Sequence, residues 1–183
     1  MKKIALVVGH RPSAPGAYGD MGIPEFKFWN ELAPILKNRM EATGRVQCRI
    51  FHRPEIPGGY GAKMKALHKE IDEWGADISI SLHFNAASSP MANGHEVLYC
   101  AFSNGGMLYA KIMEDIFTKR LPNKPRGTKP KTKKERGGGF LCRGKSKCIL
   151  VEPFFASNQH DYVEGGAHRE DLISCFEDFA QLC

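Results

Sequence analysis

Short apolar runs of strand length alternate with longer amphipathic stretches along almost the whole chain, and this alternation limits the fold more than any other feature. Lys2–Val8 reads as a strand ending at Gly9-His10. Arg11 to Ile23 is a loop with Pro12, Pro15, Gly16, Gly19 and Gly22. Pro24 suits the start of a helix, whose apolar positions Leu32, Ile35, Leu36 and Met40 carry on to Thr43-Gly44, with a kink expected at Pro34. Val46 to Phe51 alternates like a strand, and Gly61 to Trp74 places Met64, Leu67, His68 and Ile71 on one helical stripe. Asp77–His83 and His95–Ala101 read as strands, with a helix expected over Asn104–Leu121. Pro122–Gly139 reads as a basic loop, Phe140-Leu141-Cys142 and Cys148–Val151 as strands, and Tyr162–Leu182 as a closing helix. Strands alternating with helices predict an α/β fold: a twisted, mainly parallel or mixed sheet of about six strands with helices on both faces.

At 183 residues the chain is expected to form one domain, spanning 1–183. No stretch approaches the roughly 20 apolar residues of a membrane span. The apolar run Ile4–Val8 is shorter than the about 7–15 residues of a signal-peptide core, so the expectation is synthesis in the cytoplasm without a signal peptide. Six cysteines, at 48, 100, 142, 148, 175 and 183, lie mostly in apolar patterns. They are read as buried free thiols, with Cys142 and Cys148 able to pair across a turn after oxidation.

The net charge of +6 is uneven. Between Lys119 and Arg136 lie nine lysines and arginines against Glu135 alone, so the rest of the chain is slightly acidic. An anionic polymer is the natural partner of such a segment. Aromatic residues do not interleave with these cations as they do in single-strand nucleic-acid binders, and no nucleic-acid partner is expected.

Ligand sites in open α/β sheets form at the carboxyl ends of strands. His10 closes the first predicted strand, His83 the third and Glu152 the last, while Glu25 opens the first helix and can return to the same edge. Each has an ordinary structural explanation taken singly. Together, two imidazoles and a carboxylate give the three ligands of a catalytic zinc site, and a second carboxylate can move protons. His52 and His95 are substitutes if one ligand is misassigned. His68, His160 and His168 do not share the placement.

The motifs around these residues resemble the zinc-dependent N-acetylmuramoyl-L-alanine amidases of the amidase-3 type, found in bacterial autolysins and phage endolysins. The segments concerned are Val8-Gly9-His10 with Pro15-Gly16-Ala17, then Gly22-Ile23-Pro24-Glu25, Ser81-Leu82-His83-Phe84-Asn85-Ala86, Asn93-Gly94-His95-Glu96-Val97, and Leu150-Val151-Glu152-Pro153-Phe154-Phe155-Ala156-Ser157-Asn158. Departures are Val7-Val8 before and Arg11 after the first Gly-His, and His52-Arg53 where the family has Thr-Arg.

The resemblance implies one catalytic Zn2+ on His10, Glu25 and His83, with Glu152 as general base and then general acid. The substrate would be the amide between muramic acid and L-alanine in peptidoglycan. Asn85 and Arg126, with nearby basic residues, would bind substrate. A monomeric phage lysin with no separate wall-binding domain is expected, acting on the wall after release. The basic segment is expected to contact the wall apart from the chemistry. The alternatives are a zinc peptidase or deacetylase of similar architecture, and a non-enzymatic binder of an anionic polymer.

Overall fold

The computed structural model describes residues 1–18, 22–164 and 169–183. Its strands are β1 (Lys2–Val8), β2 (Val46–His52), β3 (Ile78–Leu82), β4 (His95–Cys100), β5 (Pro125–Lys131) and β6 (Lys147–Glu152). Its helices are α1 (Glu25–Ala42), α2 (Tyr60–Trp74), α3 (Asn104–Arg120), α4 (Gly138–Leu141), α5 (Gln159–Tyr162) and α6 (Arg169–Leu182). The strands form one sheet in the order β2-β1-β3-β6-β4-β5. The pairs β1·β2, β1·β3, β3·β6 and β4·β5 are parallel, and β4 runs antiparallel to β6. The sheet is therefore mixed, six-stranded and mostly parallel, as the alternation predicts.

Burial follows position in the sheet. Every residue of the inner strand β3 is buried, as a strand covered on both faces requires. In β2, at an edge, Val46, Cys48 and Phe51 are buried while Gln47, Arg49 and His52 are exposed. Alternate residues of β1 feed two cores. Ile4, Leu6 and Val8 pack with α1, α3 and α6, around Phe28, Trp29, Phe117 and Phe176. Ala5 and Val7 face α2 and α4, with Met64, Leu67, Phe140 and Leu150. Each such side chain, fully buried, contributes about 1.5–3 kcal/mol, so both faces of the sheet are pinned.

Three expectations are corrected. The basic segment is not all loop, because Pro125–Lys131 pairs with β4 as the outermost strand. Phe140-Leu141-Cys142 is not a strand. Phe140 and Leu141 end the short helix α4, which buries them under the sheet. Of the expected closing helix, α5 ends at Tyr162 and α6 covers Arg169–Leu182, while residues 165–168 lie outside the described residues. The cysteines are not all free: Cys100 and Cys142 form a disulfide, which also overturns a Cys142–Cys148 pair. Cys48, Cys148 and Cys175 are buried free thiols, and Cys183 is partly buried. Helix α1 runs through Pro34. No described helix is long and apolar enough to cross a membrane.

Candidate metal centre and cleft

The parallel register places the ends of β1 and β3 side by side, with Val8 opposite Leu82, and the Gly9 N–H donates to the Leu82 carbonyl at 3.1 Å. A Cβ at Gly9 would stand 2.4 Å from that oxygen and 2.6 Å from the His83 ring, so only glycine allows this approach. The next residue, His10, takes φ 64°, a left-handed conformation uncommon for a side-chain-bearing residue and often found at functional sites. The turn brings the His10 ring to 5.1 Å from that of His83, edge to face.

Glu25, in the first turn of α1, lies between the two imidazoles. Its Oε2 is 3.1 Å from His10 Nε2 and its Oε1 is 2.8 Å from His83 Nδ1. The Phe84 N–H donates to Oε1 at 3.2 Å and the Ala17 N–H to Oε2 at 3.4 Å. Gly16 cradles the group, since a Cβ there would fall 2.7 Å from Glu25 Oε2. His83 Nε2 is 3.1 Å from Ser81 Oγ.

Glu25 is 1% exposed, and among the described residues its only ion-pair partners are these two imidazoles. Burial alone would raise its carboxyl, but the hydrogen bonds and charges of His10 and His83 win and hold it down at about 2. Burial lowers His83 despite the opposing pull of Glu25, which favours a neutral, ligating imidazole. One ligand atom from each of His10, Glu25 and His83 lies within 4.8 Å of the others. Two imidazole nitrogens and one anionic oxygen, converging where a buried carboxylate has no lysine or arginine among the described residues, suit a divalent zinc ion.

The cluster opens onto a cleft of about 600 Å³ lined by His10, His83, Asn85, Glu96 and Glu152, with Val7, Met64, Leu67, Leu98, Phe140 and Leu150 supplying apolar surface. Glu152 ends β6 directly opposite Glu96 across the antiparallel pair. Burial and then the negative charge of Glu96 push the Glu152 carboxyl well above the usual range, against a smaller opposing effect of Arg136. Glu96 is itself anchored. Asn85 Nδ2 donates to its Oε1 at 3.0 Å and Arg126 Nε to its Oε2 at 2.8 Å. The Arg126 guanidinium sits 4.8 Å over the Phe155 ring.

The structure thus gathers His10, Glu25 and His83, and sets Glu152 and Asn85 in the adjoining cleft. Arg126 lies behind Glu96 and does not line the cleft. The cleft cations are Arg53, Lys131, Lys133, Lys134 and Arg136, so the basic segment is not apart from the chemistry but forms part of its wall. Neither substitute histidine joins the cluster. His52 bonds Asn30, and buried His95 bonds Asn123 and Thr118. His168 lies outside the described residues. Sequence reasoning assigned no role to Glu96, although a carboxylate inside the otherwise apolar His95–Cys100 was a usable signal.

An α/β sheet carrying a two-histidine, one-carboxylate cluster that could hold a metal ion, beside the facing carboxylates of Glu96 and Glu152, has the make-up of a hydrolase. Residues 4–164 match the N-acetylmuramoyl-L-alanine amidase family, and the chain belongs to that family. It is accordingly a peptidoglycan amidase that cleaves the bond between N-acetylmuramic acid and L-alanine, in a family that is generally zinc-dependent. The peptidase, deacetylase and binder alternatives give way to this.

Among solved structures, the chain is similar to the catalytic domain of the CD27L endolysin targeting Clostridia difficile. Identity is 26% and the TM-score 0.83, over 100% of this chain and 98% of that one. Two further likenesses fall below 25% identity and show the fold alone. The N-acetylmuramoyl-L-alanine amidase from Clostridium difficile 630 has 16% identity and TM-score 0.83, over 99% of this chain and 95% of that one. The catalytic domain of CwlV, the amidase from Bacillus (Paenibacillus) polymyxa var. colistinus, has 18% identity and TM-score 0.76, over 100% and 97%. No curated protein matches the chain by sequence.

Proposed function

We propose that His10, Glu25 and His83 hold one catalytic zinc ion, and that Glu152 carries the proton during hydrolysis of the muramoyl–L-alanine amide. The observation that carries this reading is the convergence of the three ligand atoms around the buried Glu25 carboxylate. A bound zinc ion would supply a Lewis acid for the scissile carbonyl and would acidify a water molecule. Glu25 contributes the anionic ligand, fixed by the Phe84 and Ala17 N–H groups before any metal arrives. Glu152, raised by burial and by Glu96, is matched to accepting the water's proton near neutral pH and returning it to the leaving nitrogen of L-alanine. Asn85, held by Glu96, presents a polar amide to the substrate. Arg126 acts on substrate only through Glu96, whose carboxylate it fixes.

We also read the chain as a monomeric lysin of phage type, acting on the wall of the cell that made it once released from the cytoplasm, without nucleic-acid or membrane partners. The likeness at 26% identity to an endolysin catalytic domain supports this.

The test pairs two isosteric substitutions. Glu152→Gln should keep its zinc and lose activity on purified wall by about 10²–10⁴-fold, the usual contribution of general acid–base catalysis. Glu25→Gln exchanges an anionic ligand for a poor neutral one and should lose zinc as well as activity. Zinc stoichiometry measured beside lysis rate decides the matter. Loss of zinc in Glu152→Gln with retention in Glu25→Gln would reverse the two roles.

A further inference from the structure

Arg53 follows β2 directly, and His52 is in register with Val8, so this arginine stands beside the Gly9-His10 turn. It lines the cleft, half-buried. Its guanidinium carbon lies 5.3 Å over the ring of Tyr60, the first residue of α2. Tyr60 is wedged in turn against Gly139, where a Cβ would stand 2.5 Å from its ring. The arginine is therefore stacked on a tyrosine that lines the cleft on the α2 side.

Among the described residues Arg53 has no carboxylate in ion-pair reach, because the nearby ones are taken. Glu55 pairs with Arg11 and accepts from Ser13 at 2.7 Å, and Glu25 is held by the two imidazoles. Burial lowers the guanidinium and the neighbouring charge of Arg11 adds to this, against opposing effects of Tyr60, Glu25 and Glu55. A partly desolvated cation with no carboxylate in direct ion-pair reach among the described residues costs free energy that a ligand carboxylate can offset. Lys131, Lys133, Lys134 and Arg136, from the far edge of the sheet, line the same cleft. Against them, Glu135 accepts from Thr132 and Glu96 from Arg126. The cleft thus presents unmatched positive charge around an apolar floor, a surface made for an acidic peptide.

We propose that Arg53 is a specificity-determining residue: its unpaired guanidinium, stacked on Tyr60 beside the metal cluster, takes a free carboxylate of the stem peptide whose L-alanine amide is cut. The planar fork of arginine matches a carboxylate with two parallel N–H donors, and stacking on Tyr60 fixes the plane in which it binds. The lysines of the far edge hold further negative charge as diffuse point charges. This inference rests on the amidase reading and adds the substrate's charge to it.

The experiment uses the zinc-loaded full chain and two soluble N-acetylmuramoyl peptides that differ only in whether the peptide carboxylates are free or amidated. The wild type should favour the free carboxylate by about 10- to 100-fold in kcat/KM, the value of one charged hydrogen-bonded contact. Arg53→Gln should cut that ratio several-fold, to the smaller preference the lysines sustain, chiefly through KM for the carboxylate substrate, while zinc content and melting temperature stay at the wild-type level. Arg53→Lys should recover part of the ratio, because charge returns without the fork. An unchanged ratio in Arg53→Gln, or a wild type indifferent to amidation, overturns the proposal. A wild type that cuts neither peptide nor purified wall overturns the amidase reading itself, and this inference with it.

Discussion

The residues proposed to do the chemistry were legible in the sequence because each stands at the end of an element. His10, His83 and Glu152 end predicted strands, and Glu25 opens the first helix, so the rule that ligands gather at strand ends was enough to bring them together. Glu96 was not legible, for a different reason. The role of Glu96 depends on which strand lies beside β4, and only the antiparallel β4·β6 pairing sets it opposite Glu152. That pairing leads to a prediction on pH. Two causes disfavour the ionised form of Glu152, burial first and the charge of Glu96 second. Glu96→Gln removes the second and leaves the first, so Glu152 should ionise at lower pH than in the wild type. If Glu152 must be ionised to accept a proton, the rising acid limb of kcat/KM should move to lower pH in Glu96→Gln. A pH profile on a soluble muropeptide checks this. A limb that stays in place would mean that Glu96 serves only to hold Asn85 and Arg126.

Among the elements, the strands and helices with strong periodicity were predicted to within a residue or two, and the two failures have physical causes. β5 reads Pro-Arg-Gly-Thr-Lys-Pro-Lys, a composition that argues against a strand. It is tolerated because β5 is an edge strand paired on one side only, where proline and lysine also discourage pairing with another molecule. Its start is fixed from α3, where Glu114 accepts from the Gly127 N–H at 2.8 Å. The apolar triplet at 140–142 was too short for its period to show whether it was strand or helix. The Cys100–Cys142 disulfide joins the end of β4 to the residue after α4, and so clips the cleft wall between Lys131 and Phe140 to the sheet. The bond spans 42 residues. Closing a loop of that size stabilises by about 4 kcal/mol in the chain-entropy account, or roughly 10 °C in Tm for a domain of this length. The wild type should therefore melt lower by about that amount in reductant, whereas Cys142→Ser should melt at the lower temperature with or without it. A wild-type Tm indifferent to reductant would show that the clip adds nothing to the fold.

At the scale of the whole molecule, charge and fold act together. The sequence showed that the net positive charge belongs to Lys119–Arg136, but not that the end of this segment, Lys131 to Arg136, lines the chain's own cleft, since that depends on β5 joining the sheet. The exposed Lys133 and Lys134 are then in a position to act twice, first by drawing the protein to an anionic wall and then by holding peptide within the cleft. Attraction between exposed charges depends on salt, with a Debye length of about 8 Å at physiological ionic strength and about 3 Å at 1 M. Wild-type wall cleavage should accordingly fall as salt rises. Replacing Lys133 and Lys134 together by glutamine should lower cleavage at low salt, flatten the salt dependence, and bring the two proteins together at high salt. The same variant should show a raised KM on a soluble carboxylate-bearing muropeptide, which no role confined to wall attraction would produce. Lysis rates across a salt series, measured beside muropeptide kinetics, separate the two effects. Parallel salt curves with an unchanged KM would return these lysines to the status of ordinary solvated surface.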